Sequence, residues 1–170
     1  LGYQQTGVLN NVVNADGSSS GIAIEGNNTL TIGASGAVNL NASGSRITGA
    51  IFVGGTSELV NQGTITADGS TGSRTISPDM FTNQGTVAAQ NGANLSINSG
   101  TFLNDGSGQI TIDGTSTVNL DNDFDNDGTI TLNGGTLNLN GTYLTADIGV
   151  INGTGGTVNL DGTLDNSGDV

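Results

Sequence analysis

The densest group of chemically able side chains is the run DNDFDNDG at 121–128, where Asp121, Asp123, Asp125 and Asp127 recur at every second position. Asp123, Asp125, Asp127 and Gly128 match the opening of a calcium loop, D-x-D-x-D-G, whose carboxylate oxygens suit a hard divalent cation. The twelfth position of such a loop is Gly134, so the bidentate glutamate is missing and an EF-hand is excluded. In a strand, Phe124 and Asn126 point to one side and the four aspartates to the other, near Asp105 of the preceding repeat. Like charges in one row repel. The expectations are a weak surface Ca2+ site on Asp121, Asp123, Asp125 and Asp127, or a plain solvated acidic edge that discourages sideways aggregation.

Other chemistry lacks its parts. The chain has no His and no Cys, and Arg46 and Arg74 are its only cations. Nucleophilic, zinc and phosphoryl-transfer schemes therefore have no base, thiolate or phosphate cradle. A carboxylate-only glycosidase or lyase survives formally. Its acid would need an apolar pocket to raise its pKa, yet the acids lie beside Gly and Asn, and only 4% of residues are aromatic. The chain is expected not to be an enzyme and to need no cofactor beyond that Ca2+. With a net charge of −13 it is a poor partner for nucleic acid or acidic lipid. No apolar run approaches the ~20 residues of a membrane span, and the opening LGYQQTGVLN lacks the basic and apolar regions of a signal peptide.

The elements that would carry these residues are repeated. LVNQGTITA from Leu59, FTNQGTVAA from Phe81, FLNDGSGQITI from Phe102 and FDNDGTITL from Phe124 share an apolar anchor followed by Asn-x-Gly. LDNSGDV from Leu164 reads as a further copy. Tyr143–Ile151 fills the intervening place in an uncertain register, with Ala146 or Asp147 where Asn belongs. Between anchors runs a second strand, with Leu95/Ile97, Val118/Leu120, Leu137/Leu139 and Val158/Leu160 at i and i+2 on one face.

Such a unit cannot bury its apolar face alone, whereas stacked coils ~4.8 Å apart close a narrow interior. The fold class expected is all-β, a parallel β-helix (β-solenoid) of about 20–22 residues per coil. About eight coils would fit, in one segment spanning 1–170, less regular over 1–57 and regular over 58–170. It reads as a fragment of a longer repeat protein, since solenoids need capping coils.

Asn61, Asn83, Asn104 and Asn126 sit two positions after the anchors and so face inward. An unpaired amide there would cost about 1–3 kcal/mol, a penalty that an asparagine ladder along the stack removes. Gly63, Gly85, Gly106 and Gly128 are expected to give the corner a left-handed conformation.

In the N-terminal third, strands are expected at Ile22–Ile24, Thr29–Ile32, Ala37–Leu40, Arg46–Thr48 and Ala50–Val53. Asp68–Met80, with Pro78 and Arg74, reads as a protruding turn. Outward Thr64/Thr66, Thr111 and Thr129/Thr131 form a column of the kind that binds ice in some solenoids. Ala88 and Gln109 interrupt it, and Thr is favoured on any exposed strand.

The lines SRITGAIFVGGTSELVNQGTITADG and FDNDGTITLNGGTLNLNGTYL resemble the passenger regions of bacterial autotransporters and filamentous-haemagglutinin-like adhesins. The resemblance implies secretion to the bacterial cell surface (outer membrane) and display as a rigid stalk or fibre for adhesion, biofilm or surface assembly. Partners would be flanking coils or other copies of the same protein, and host or matrix glycans. The alternatives are a Ca2+-stabilised glycan-binding module, an ice-binding solenoid or the carboxylate-dependent polysaccharide enzyme.

Overall fold

Aliphatic and polar residues alternate over three to five positions in most strands, so each strand has one dry face that only a neighbour can cover. In the computed structural model, which describes residues 2–3 and 5–167, the strands wind into a parallel β-solenoid. Three strands per coil build three sheets of eight, seven and six strands, and Thr142–Leu144 pairs with Thr163–Asp165 in a separate two-stranded sheet. The pairings between these strands are parallel and join equivalent positions of adjacent coils, as in Leu59, Phe81, Phe102 and Phe124, although Asp123–Asn126 ends its sheet without pairing to Thr142–Leu144.

The aliphatic pairs meet on the axis. Leu95/Ile97, Val118/Leu120 and Leu137/Leu139 are each at most 1% exposed, and Phe81 and Phe102 stack with ring centroids 5.0 Å apart. At ~25 cal/mol per Å2 these repeated side chains supply the main favourable term.

Coil length divides the chain. Equivalent asparagines are 22, 21 and 22 positions apart from Asn61 to Asn126. Nearer the N-terminus, Asn14 and Asn39 lie 25 apart and Thr29 and Glu58 lie 29 apart. These longer early coils leave about seven turns instead of the expected eight.

Four local expectations are corrected. Ala50–Val53 is no strand; it belongs to a loop whose Ile51, Phe52 and Val53 are 52%, 83% and 50% exposed. Asp68–Met80 protrudes only around 69–72. Ser73–Ser77 is an internal strand paired on both sides, with Arg74 and Ile76 pointing inward.

The corner glycines do not adopt a left-handed conformation. A Cβ on Gly63 or Gly85 would instead collide with the carbonyl of Gly36 or Gly63 in the coil beside it. Gly106 meets nothing, and Gly108 takes its place against Asn83. The requirement is close approach of stacked backbones. Finally, Val158 and Leu160 pair in register with Leu137 and Leu139 but remain 40% and 56% exposed, because no described coil covers them.

Around 140–152, the uncertain register resolves into strand Thr142–Leu144, a one-turn helix Thr145–Ile148 and strand Val150–Gly153. Tyr143 takes the aromatic place, its ring 5.2 Å from that of Phe124. Leu164 pairs with Tyr143 in the following coil, while the last three residues of LDNSGDV lie outside the described residues.

Candidate functional site

Three polar constructions stand out, and the first is internal. Asn61, Asn83, Asn104 and Asn126 are at most 2% exposed. Each amide donates to the next: Asn61 Nδ2 to Asn83 Oδ1 at 2.8 Å, Asn83 Nδ2 to Asn104 Oδ1 at 2.8 Å and Asn104 Nδ2 to Asn126 Oδ1 at 2.7 Å. The second proton of Asn61 reaches the Thr86 carbonyl at 3.0 Å, and that of Asn83 reaches Gln109 at 3.3 Å. Gly63 N–H donates to Asn61 Oδ1 at one end. At the other, Asn126 donates to the Ile148 carbonyl at 2.8 Å, so the helical turn closes the ladder where no further Asn is available.

A second, outer ladder was not legible. Asn159 donates to Asn138, Asn138 to Asn119 and Asn119 to Asn94, at 2.8, 2.7 and 2.8 Å. Its signal was the recurring Asn of TVNL and TLNL, on the face opposite the aliphatic pairs.

The acidic run is divided by a corner. Asp121 follows strand Thr117–Leu120, where it accepts hydrogen bonds from Ser96 and, at 2.7 Å, from Asn140 Nδ2. Asp123 and Asp125 lie on the outer face of strand Asp123–Asn126, and Asp127 follows it. Phe124 and Asn126 face inward as expected.

Asp147 of the helical turn joins this group, which the sequence did not indicate. Burial, together with the charges of Asp127 and Asp147, pushes the Asp125 carboxyl above its ordinary value. Asp105 is engaged by Gln84 at 3.0 Å and by the Gly106 N–H at 2.7 Å. Among the described residues, no three His, Cys, Asp or Glu side chains are grouped so as to hold a metal ion.

The third construction serves the irregular loops. Glu25 is buried, and its carboxylate accepts the backbone N–H groups of Ile51 at 3.1 Å, Phe52 at 2.9 Å and Val53 at 2.8 Å. Those bonds, that of Val53 foremost, hold its pKa below the ordinary value against the opposing effect of desolvation. Arg74, 1% exposed, donates to the carbonyls of Leu40, Asn41, Thr71, Gly72 and Asp68. Its signal was Arg-x-Ile at the spacing of Leu95-x-Ile97.

The Thr column exists with its predicted breaks: Thr66, Ala88, Thr111 and Thr131 are register partners, as are Thr64, Thr86, Gln109 and Thr129.

Together these features define a class: a parallel β-solenoid with an internal asparagine ladder and clamped N-terminal loops. No protein family, curated protein or solved structure matches the chain.

Proposed function

We propose that this solenoid is a structural and adhesive module of an exported bacterial cell-surface protein, acting as a rigid stalk or fibre. The observation that carries this reading is the unbroken inner ladder from Asn61 to Asn126 running along a stack of aliphatic pairs. Each coil contacts mainly its neighbours, so length grows by repetition without a larger core, which suits a spacer. Apolar Val158, Leu160 and Leu164, left 40–56% exposed on the last described coil, form a surface on which a coil of another copy would stack.

Antibodies against the module should label intact cells of the producing organism; labelling only after lysis would contradict the reading. The Ca2+-stabilised alternative makes a different demand. It requires a melting midpoint that rises with Ca2+ and falls with chelator, whereas the stalk reading expects the same midpoint in both.

A further inference from the structure

From the cleft beside the Glu25-clamped loop, we infer that this chain binds a carboxylate-bearing sugar between Arg46 and Phe52. The inference deepens the surface-module reading and rests on it for where such sugars would be met. Its basis is a coincidence of rare residues. The sequence holds only two cations, and Arg74 is spent inside on carbonyls. Arg46 is exposed, and among the described residues its guanidinium has no hydrogen-bond or ion-pair partner. It lines a cleft of about 420 Å3 together with Phe52, which at 83% exposure is the most exposed large apolar residue described.

The shape of the cleft follows from strand register. Gly21 and Ala23 lie beside Arg46 and Thr48 on the next strand, on the face opposite Ile22 and Ile47. These two small residues make a shallow floor. A Cβ at Gly21 would collide with the Arg46 carbonyl, so the floor stays low there. Ile51 and Phe52 form a wall, and their loop is not free to collapse: three N–H groups are held by Glu25, Val53 O accepts from Gly26 N at 2.8 Å and Thr56 N donates to Asn27 Oδ1 at 2.8 Å. An aromatic ring held away from the core gains nothing from burial, and a rigid exposed apolar group beside concave polar surface is the pattern of a binding site.

The lining selects the ligand. One guanidinium offers paired donors for a single carboxylate, too little charge for a row of phosphates or sulfates. The Phe52 ring and Ile51 side chain offer an apolar surface to one face of a pyranose ring. Asn14, Ser19 and Thr48 supply hydroxyl and amide groups around it. A uronic acid combines these three features. With the rest of the chain strongly anionic, long-range attraction is lacking and short contacts must carry the affinity, so a Kd of about 1 mM is expected for a short oligomer.

The test is an amide NMR titration of the full chain with trigalacturonate, its methyl ester and an acetylated dipeptide bearing a free C-terminal carboxylate. Trigalacturonate should shift residues 46–53 and bind at least roughly tenfold more tightly than either control. Arg46→Gln should lose roughly tenfold in affinity, and Phe52→Ala should weaken binding with less effect. Unchanged amide signals of Asn83 and Asn104 would show that both variants keep the fold. Equal binding of acid and ester, an unaffected Arg46→Gln variant, or no shifts at about 10 mM ligand would overturn the site. Equal binding of the dipeptide would overturn its assignment to a sugar. None of these failures touches the stalk reading, which stands or falls on surface labelling of cells.

Discussion

Residues 58–139 and residues 21–57 use the same strand alternation but solve the problem of inward polar atoms differently. In the regular coils one residue type recurs at one corner, and each amide satisfies the next at 2.7–2.8 Å. In the N-terminal coils, separations of 25–29 residues insert loops that break this repetition, and Ile32 occupies the place above Asn61 where the ladder would continue. Backbone groups there are gathered by single charged residues: Glu25 takes N–H donors of its neighbouring loop, and Arg74, reaching over from the first regular coils, takes the carbonyls of Leu40 and Asn41 together with those of Asp68, Thr71 and Gly72 in its own loop. Repetition distributes the hydrogen bonding over many equal contributors, whereas irregularity concentrates it in a few that have no substitute.

The first way to break this contrast is at Arg74. Arg74→Met should keep the buried volume while removing the donors to the carbonyls of Leu40 and Asn41 in the early coils and of Asp68, Thr71 and Gly72 in its own loop, with a loss of about 3–5 kcal/mol in urea unfolding. A loss below that of a ladder substitution would mean that the guanidinium is dispensable. Asn83→Ala should rank second, at about 2–3 kcal/mol, because it removes both the donor to Asn104 and the acceptor for Asn61. The same change at Asn126 should cost less, since its own donor ends on a backbone carbonyl and only Asn104 loses its ladder partner.

Glu25→Gln sharpens the comparison through pH. The folded pKa of Glu25 lies below its unfolded value of 4.5, so its stabilisation is complete above that pH and disappears as pH falls through the folded value. Asp79, held down by the Ser57 backbone N–H and hydroxyl, carries the same sign. The variant should therefore melt earlier than the parent near neutral pH, with the two midpoints converging in acid. A constant gap would remove the carboxylate's charge from the account.

The smallest effect is expected at the other end. Asp125 has a raised folded pKa, so its stabilising share is present at low pH and is lost as pH rises through that value. Asp125→Asn should raise stability near neutral pH by less than about 0.5 kcal/mol, fading in acid and in high salt.

This contrast also separates what could be read in advance from what could not. The ladder was legible because Asn61, Asn83, Asn104 and Asn126 recur at a constant offset from the anchors, and periodicity converts directly into stacking. The aliphatic pairs were legible for the same reason. No equivalent charge recurs at the places of Arg74 and Glu25 in neighbouring coils, and the partners that make them inward-facing, loop carbonyls and N–H groups, belong to irregular segments that carry no repeat. Ala50–Val53 was apolar enough for a strand, but the carboxylate beneath holds its backbone N–H groups and leaves its side chains outside. The acidic run was visible as chemistry. Its division came from the corner between strands Thr117–Leu120 and Asp123–Asn126, which turns Asp121 toward Ser96 and Asn140.

Parallel in-register stacking of the coils underlies every role described above, and through-space NMR contacts between adjacent strands test it directly. Met80–Asn83 against Thr101–Asn104 should show contacts of Phe81 with Phe102 and of the Asn83 side-chain amide with Asn104. Close Hα–Hα pairs between these two strands, which antiparallel ladders produce at their narrow pairs, would contradict the solenoid and every role derived from it.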